Sequence, residues 1–343
     1  MRAKVGVVGS RARGAHRPHS TVTFIGVTVD NDMLDGAGSA PSATCMSAAR
    51  VPSIVFIKTP KCASSTAGGI VRRIAWRHNL SGARDSGTVL LSSTGLPIAR
   101  SKLPRGPFVW ASHASREKLQ PQLVSLRPNL PLLVSIVREP AARALSSVYF
   151  FTGLSRGLYN QSVWKTWNWT DVFMKHLNSC ESWPFVCPNF MLRYIRWANV
   201  QGPHAALRQY SLVGVAERLD VFAVLLANLT GVPLTSVLYA NSKMVDFPRP
   251  ETPAAVRHFI DTEWATQNQL DFELYNLSNA RLDEQLAGNE ELRDRLVTFR
   301  NMQALVATSC RYTDADECLW LDNGCGFACH DRLTNKLCGG RVE

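Results

Sequence analysis

An α/β domain with a largely parallel sheet is predicted by three observations: short apolar runs of the buried-strand kind, helical stripes that follow them, and small-residue or proline-led turns between the two. The first run, Ser53-Ile54-Val55-Phe56-Ile57-Lys58, reads as a strand. A loop of small and polar residues follows from Thr59 to Thr66. A helix then runs to about His78, with Ala67, Ile70, Val71 and Ile74 forming its apolar stripe. Phe108-Val109-Trp110-Ala111 is a second strand, ending at Ser112-His113. Leu132 to Val137 is a third, ending at Arg138. Pro140 sits where proline suits a first helical turn, and that helix runs to about Phe151. Leu212-Val213-Gly214-Val215 is a fourth strand. Residues 152–200 are tryptophan-rich and are expected to form a lobe or lid. Residues 253–305 read as helical, with Leu270, Leu274 and Leu277 on one face and Leu282, Leu286, Leu292 and Leu296 continuing the pattern.

The 343 residues, 45% of them hydrophobic, suffice for one large globular domain with appendages. The expected division is a disordered leader over residues 1–50, a main domain over 51–305 and a cysteine-rich tail over 306–343 packed on it. A net charge of +11 favours anionic partners. Nucleic acid is not among those expected, because no basic run with interleaved aromatics and no nucleic-acid motif is present. Nine cysteines, crowded at Cys180/Cys187 and at Cys310, Cys318, Cys325, Cys329 and Cys338, read as disulfides of an oxidising compartment. The odd number leaves a thiol unpaired, with Cys62 and Cys45 the candidates. Zinc on Cys325, Cys329 and His330, with Cys318 and Cys338, is the rival reading. Sequons at Asn79, Asn160, Asn168, Asn228 and Asn276 also point to a lumenal or extracellular chain. The apolar stretch Thr21 to Val29 is too short to span a bilayer, so membrane association is possible but no anchor or signal peptide is legible.

Two segments carry chemistry. In Lys58-Thr59-Pro60-Lys61-Cys62-Ala63-Ser64-Ser65-Thr66, small residues join a strand to a helix N-terminus. Such a junction traps anions through backbone N–H groups and the helix dipole. Ser64, Ser65 and Thr66 add hydroxyls and Lys61 a full charge. The Gly-x-x-x-x-Gly-Lys-Ser/Thr pattern of nucleoside triphosphate loops is missing. In Arg138-Glu139-Pro140-Ala141-Ala142-Arg143-Ala144-Leu145-Ser146, Arg138 leaves a strand end and Ser146 lies two turns into the next helix. An arginine fork there suits a phosphate. Taken alone, the first segment also reads as a serine/threonine helix cap and the second as a surface Arg–Glu pair.

Together the two segments resemble the 5′-phosphosulfate loop and the 3′-phosphate motif of sulfotransferases. The wording Lys-Thr-x-Lys-x-Ala-Ser-Ser-Thr, then Arg-Glu-Pro-x-x-Arg-x-x-Ser, is most similar to the Golgi galactose-3-O-sulfotransferase family, with heparan sulfate 2-O-sulfotransferases more distant. Ser112-His113-Ala114-Ser115-Arg116, Val215-Ala216-Glu217-Arg218-Leu219-Asp220 and Asp271-Phe272-Glu273-Leu274-Tyr275 fit the same likeness, which spans residues 53 to about 280. The chain departs from the family in having Pro60 where histidine is common, and Arg116 one residue later than the usual arginine.

The resemblance implies a P-loop-like three-layer fold with a central parallel sheet, plus helical and cysteine-rich C-terminal additions. It implies sulfuryl transfer from 3′-phosphoadenosine-5′-phosphosulfate (PAPS) to a glycan or glycolipid in the Golgi lumen, with no metal. Lys58, Thr59, Lys61, Cys62, Ala63, Ser64, Ser65 and Thr66 would hold the phosphosulfate, with Lys61 on the bridging oxygen. Arg138 and Ser146 would bind the 3′-phosphate. His113 would be the general base, ahead of Glu117 and Glu139; Glu139 is expected to pair with an arginine. Galactose 3-OH is the expected acceptor position. The alternatives are uronic acid 2-OH, a kinase-like phosphotransferase, or a non-catalytic binder on the same fold.

Overall fold

The computed structural model describes residue 45 and residues 50–83, 90, 103–126, 129–154, 161–180, 184–197, 199–243, 249–310 and 324–339. Its centre is a four-stranded, wholly parallel sheet in the order β2-β1-β3-β4. The strands are β1 (Ile54–Ile57), β2 (Val109–Ser112), β3 (Leu132–Val137) and β4 (Leu212–Val215). Every residue of β1 and β4 is buried, which is why these strands read as unbroken apolar runs rather than alternating ones. Fully burying each such side chain contributes about 1.5–3 kcal/mol.

The register aligns the carboxyl ends. Ile57 lies beside Ser112 on one flank and Ser135 on the other, and Val137 lies beside Val215. The chain runs from β1 out to β2, then crosses back over β1 to β3. The direction of winding therefore reverses between β1 and β3, which is where open α/β sheets bind ligands.

Helix α1 (Ser64–Arg77) packs on β1 and β2. Helix α2 (Arg116–Ser125) follows β2 and α3 (Pro140–Tyr149) follows β3. The helix Leu219–Thr230 covers β4, where Phe222 occupies the space that a side chain at Gly214 would need. The helix Gln269–Ala287 also packs on β4 and gathers Phe190–Ile195 and Pro203–Leu207 around it. After α3 the chain continues as a π-helical turn, Phe150–Leu154, so the α-helix stops short of the expected Phe151. The predicted helical stretch after residue 253 begins at Ala254 and breaks at Gly288-Asn289 into Gln269–Ala287 and Glu290–Ser309. Leu274, Leu282, Leu292 and Leu296 are buried as the periodicity requires, whereas Leu270 is 40% exposed.

A second core fits the tryptophan-rich lobe. Tyr149, Trp164, Trp169, Phe173, Val256 and Trp264 pack together, with Phe173 edge-on to Tyr149 at 5.0 Å. The Cys180–Cys187 disulfide lies in the same stretch of chain. The C-terminal helix Phe327–Leu337 docks on α1 through Arg73. That guanidinium is fully buried and donates to Asp331 Oδ1 (2.7 Å), Thr334 Oγ1 (3.2 Å) and the carbonyls of Phe327 and Thr235. Gly324 meets Gly69 backbone to backbone, and its φ of +79° adds a second reason for glycine there.

Disulfides join Cys310 to Cys329 and Cys45 to Cys338. Cys45 is therefore not the unpaired thiol; it is bonded to Cys338 across 293 residues of sequence. Among the described residues the free cysteine is Cys62. Cys325 is disulfide-bonded as well, so the zinc reading loses the thiolates of Cys325, Cys329 and Cys338. Cys318, Asn160 and the rest of the leader lie outside the described residues. Among the described residues no helix is long and apolar enough to cross a membrane.

His330 is buried on the same C-terminal helix, and burial together with the Arg73 charge pushes its pKa down to about 3. The unfolded chain binds this proton near pH 6.5 and the fold does not, so stability falls as pH drops from about 6.5 towards 3. The expected slope is up to about 1.4 kcal/mol per pH unit in urea unfolding, and it should flatten in His330→Gln. An unchanged pH profile in that variant would refute the assignment. Arg73→Met should cost about 3 kcal/mol at pH 7.

Candidate functional site

The four strands deliver one set of residues to one cleft. Its volume is about 870 Å³. Beyond β1 it is lined by Pro60, Lys61, Ala63, Ser64, Ser65 and Thr66; beyond β2 by His113; beyond β3 by Arg138 and, on α3, Ser146; beyond β4 by Ala216 and Glu217. The two anion-binding segments and the histidine read from the sequence are thus brought together.

The β1 loop reaches its shape through two residues in the left-handed region, Lys61 (φ 65°) and Ala63 (φ 54°). Each costs about 1–2 kcal/mol in a non-glycine residue, which the surrounding packing must offset. Ala63 is the N-cap of α1 and supplies no side-chain cap. The N–H groups of the first turn, at Ser64, Ser65 and Thr66, have no intrahelical acceptors by the geometry of a helix start. They meet the cleft at the positive end of the helix dipole. Thr66 Oγ1 accepts the Ser242 N–H at 3.0 Å, tying the Asn241–Lys243 segment to this turn.

Three residues expected in the loop's binding set lie beneath it. Lys58 is buried, and a Cβ at Gly68 would stand 3.3 Å from its Cε, so its stem fills the space that glycine leaves on α1. Thr59 is buried, sharing a hydrogen bond of 3.2 Å with Ser135. Cys62 points inward to Met191 Sδ at 3.6 Å. Burial pushes its thiol up to about 12, against the opposing pull of Arg143 and Arg138, so it stays protonated. None of the three lines the cleft.

Arg138 joins the two segments. Its Nη1 donates to the Lys61 carbonyl at 3.3 Å, and its Nε faces Glu217 Oε1 at 3.6 Å. The carboxylate is 40% exposed, so this pair steers the fork more than it stabilises the fold. Among the described residues no ion pair joins Glu139 to an arginine, the partner expected for it. Its carboxylate caps α3, accepting Ala141 N–H at 3.0 Å and Ala142 N–H at 2.5 Å, with Pro140 at the first helical position. The other arginine of the motif, Arg143, is structural. It is buried, donates to the Phe185 carbonyl at 2.6 Å and lies over the Phe190 ring.

His113 Nδ1 lies 2.7 Å from the Lys58 carbonyl. A carbonyl only accepts, so Nδ1 carries the proton, and the base role expected of this histidine falls to Nε2. The Lys58 N–H meanwhile donates to the Ser112 carbonyl at 2.9 Å, so one residue fixes β1's end to β2's and aims the imidazole. Arg116 is turned away from the cleft. It is buried against Trp197, its charge centre 4.2 Å from the ring, and burial pushes its pKa down to about 10. Glu117 is exposed and does not line the cleft.

The remaining lining residues were not singled out from the sequence: Phe150, Phe151, Phe185, Tyr194, Asn241, Ser242, Lys243 and Arg249 among them. Phe150 had a local signal, since it lies one turn beyond Ser146 on α3's cleft face. Glu217 follows the strand-end rule that found Arg138. Lys243 and Arg249 carry no such signal. Glu139→Ala should cost about 1 kcal/mol in urea unfolding, and Glu139→Asp should recover part of it. A loss under about 0.3 kcal/mol would show that the cap contributes nothing.

Residues 23–179 match the family model described as galactose-3-O-sulfotransferase, a stretch holding Lys61, His113, Arg138 and Ser146. The chain is 29% identical to galactose-3-O-sulfotransferase 3 of Homo sapiens over 258 residues, covering 66% of this chain and 55% of that relative. It thus spans about half the length of the curated relative it matches. No solved structure matches it. Both findings support the galactose-3-O-sulfotransferase family for this chain, the family its two motifs resemble.

Proposed function

We propose that this chain transfers a sulfuryl group from PAPS to a sugar hydroxyl of a glycan or glycolipid, with galactose 3-OH the position attacked. One observation carries the reading: the Lys61 loop, Arg138 with Ser146, and His113 line a single cleft at the carboxyl ends of adjacent strands.

The residues present suit such a donor. The cleft's volume, about 870 Å³, falls in the range of nucleotide-sized sites. Among the cations that line it, Lys61 stands beside a helix N-terminus and Arg138 lines it together with Ser146. The donor, when bound, supplies a sulfuryl group already activated by a phosphate leaving group. The first turn of α1 and the Lys61 ammonium hold that anionic end and neutralise the negative charge that grows on the departing phosphate. Arg138 and Ser146 hold the second phosphate. His113 Nε2 accepts the proton of the attacking sugar hydroxyl as the new S–O bond forms, and the Lys58 carbonyl stabilises the imidazolium through Nδ1–H. The stacked pair Phe151–Phe185, 4.3 Å between centroids, gives the cleft an apolar wall.

Magnesium-dependent phosphoryl transfer is less well supported. It calls for carboxylates beside the phosphates, and the carboxylate among the lining residues, Glu217, faces Arg138. The disulfides favour an oxidising lumen, consistent with work in the Golgi.

His113→Ala should lower turnover of a galactose-terminated acceptor by roughly 10²–10⁴-fold while leaving donor affinity within about twofold. Lys61→Ala should lower both. Labelled-sulfate transfer, with calorimetry of 3′-phosphoadenosine 5′-phosphate, measures each. Unchanged turnover in His113→Ala would remove the base from the mechanism. Tight nucleotide binding with no transfer to any glycan would favour the non-catalytic reading.

A further inference from the structure

The π-helical turn after α3 carries a ring that two lysines share. Lys61 Nζ stands 3.5 Å from the centroid of Phe150, and Lys243 Nζ stands 5.2 Å from the same centroid. All three residues line the cleft. Two ammonium groups brought to one ring repel each other; the negative face of the ring offsets part of that repulsion. An anion lowers it much further.

The backbone around these groups is set for the purpose. Phe150 follows Ser146 by one helical turn, so α3 presents hydroxyl and ring on one face. The π-helical start at Phe150 turns the chain there, a distortion often found at functional sites. Lys243 takes a left-handed backbone, φ 59°, immediately after Ser242, whose N–H is held by Thr66 in the first turn of α1. Lys243 is thereby fixed to the same helix start as the Lys61 loop, though Thr66 and Ser242 stand 176 positions apart in the sequence.

We propose that Phe150 is a positioning residue that holds the Lys61 and Lys243 ammonium groups at the mouth of the β1 loop, and that Lys243 is a second cation for the phosphosulfate end of the donor. This deepens the transferase reading and rests on it for the identity of the ligand. The ring keeps both charges at the loop. With an anion at the loop, both ammonium groups lie within reach of its oxygens, and Lys243 shares the negative charge that Lys61 alone would otherwise face.

The test is calorimetry with 3′-phosphoadenosine 5′-phosphate on the full chain, alongside transfer kinetics. Lys243→Gln should weaken nucleotide binding roughly tenfold and reduce its salt dependence. Phe150→Leu, which keeps an apolar side chain but removes the ring, should weaken it roughly fivefold, and Phe150→Tyr should restore it. In the double variant Phe150→Leu/Lys243→Gln the losses should fall short of the product of the single ones, because the ring acts through the lysines. Binding within twofold of wild type in Lys243→Gln would overturn the inference, as would fully multiplicative losses or equal losses in Phe150→Leu and Phe150→Tyr. Because binding is read directly, the two readings separate. Normal binding effects with no transfer by the wild-type chain would count against the transferase alone. A wild-type chain that does not bind the nucleotide would overturn both.

Discussion

The hydrogen bond from Arg138 to the Lys61 carbonyl is the link on which the rest of the site depends. It joins the end of β3 to the loop that leaves β1, across the point where the sheet's winding reverses. Each partner alone is commonplace: an arginine at a strand end, a small-residue loop before a helix. Held together, they bring the Lys61 loop and the arginine to one cleft, spaced by the strand separation and the first turns of α1 and α3. The left-handed backbones at Lys61 and Ala63 are the cost of that arrangement, and the buried Lys58, Thr59 and Cys62 beneath them are the packing that sustains it.

Behind this link stands a chain of supports. Lys58 fills the space over Gly68 and accepts from His113 through its carbonyl, so one residue ties the histidine to the strand that leads into the loop. Arg73, five residues further along α1, binds the C-terminal helix, which the Cys310–Cys329 and Cys45–Cys338 bridges attach to the preceding helix and to Cys45. Residues remote in sequence thus brace the helix whose N-terminus faces the cleft. Asp271 adds a similar brace on the other flank. It is buried and accepts the N–H groups of Met191 (2.9 Å) and Leu192 (2.8 Å), and Met191 touches Cys62.

Much of this was legible in the sequence where the physics is local. Buried parallel strands read as continuous apolar runs, so β1, β3 and β4 fell where expected, and Pro140 marked the start of α3. Lys61, His113 and Arg138 line one cleft because residues that leave parallel strands at their carboxyl ends gather on one edge of the sheet. What is set by tertiary contact was not legible. The partner of Cys45 is a distant cysteine, and pairing does not follow from spacing. Lys243 and Arg249 reach the cleft only through the fold. Lys58 and Cys62 look like loop ligands in sequence, yet side-chain direction, which neighbouring helices decide, turns them inward. Glu139 was misread although its position before Pro140 is itself a capping signal.

The central claim, that one nucleotide bridges the Lys61 loop and Arg138, is tested most directly by comparing two ligands in calorimetry on wild-type and Arg138→Ala protein. Adenosine 5′-monophosphate and 3′-phosphoadenosine 5′-phosphate differ only in the 3′-phosphate. The account predicts that the wild-type chain prefers the bisphosphate by roughly 10- to 100-fold and that Arg138→Ala abolishes most of this preference, with a smaller loss for the monophosphate because the Lys61 carbonyl loses its tie. Equal loss of affinity for both ligands, or no preference in the wild-type chain, would contradict it.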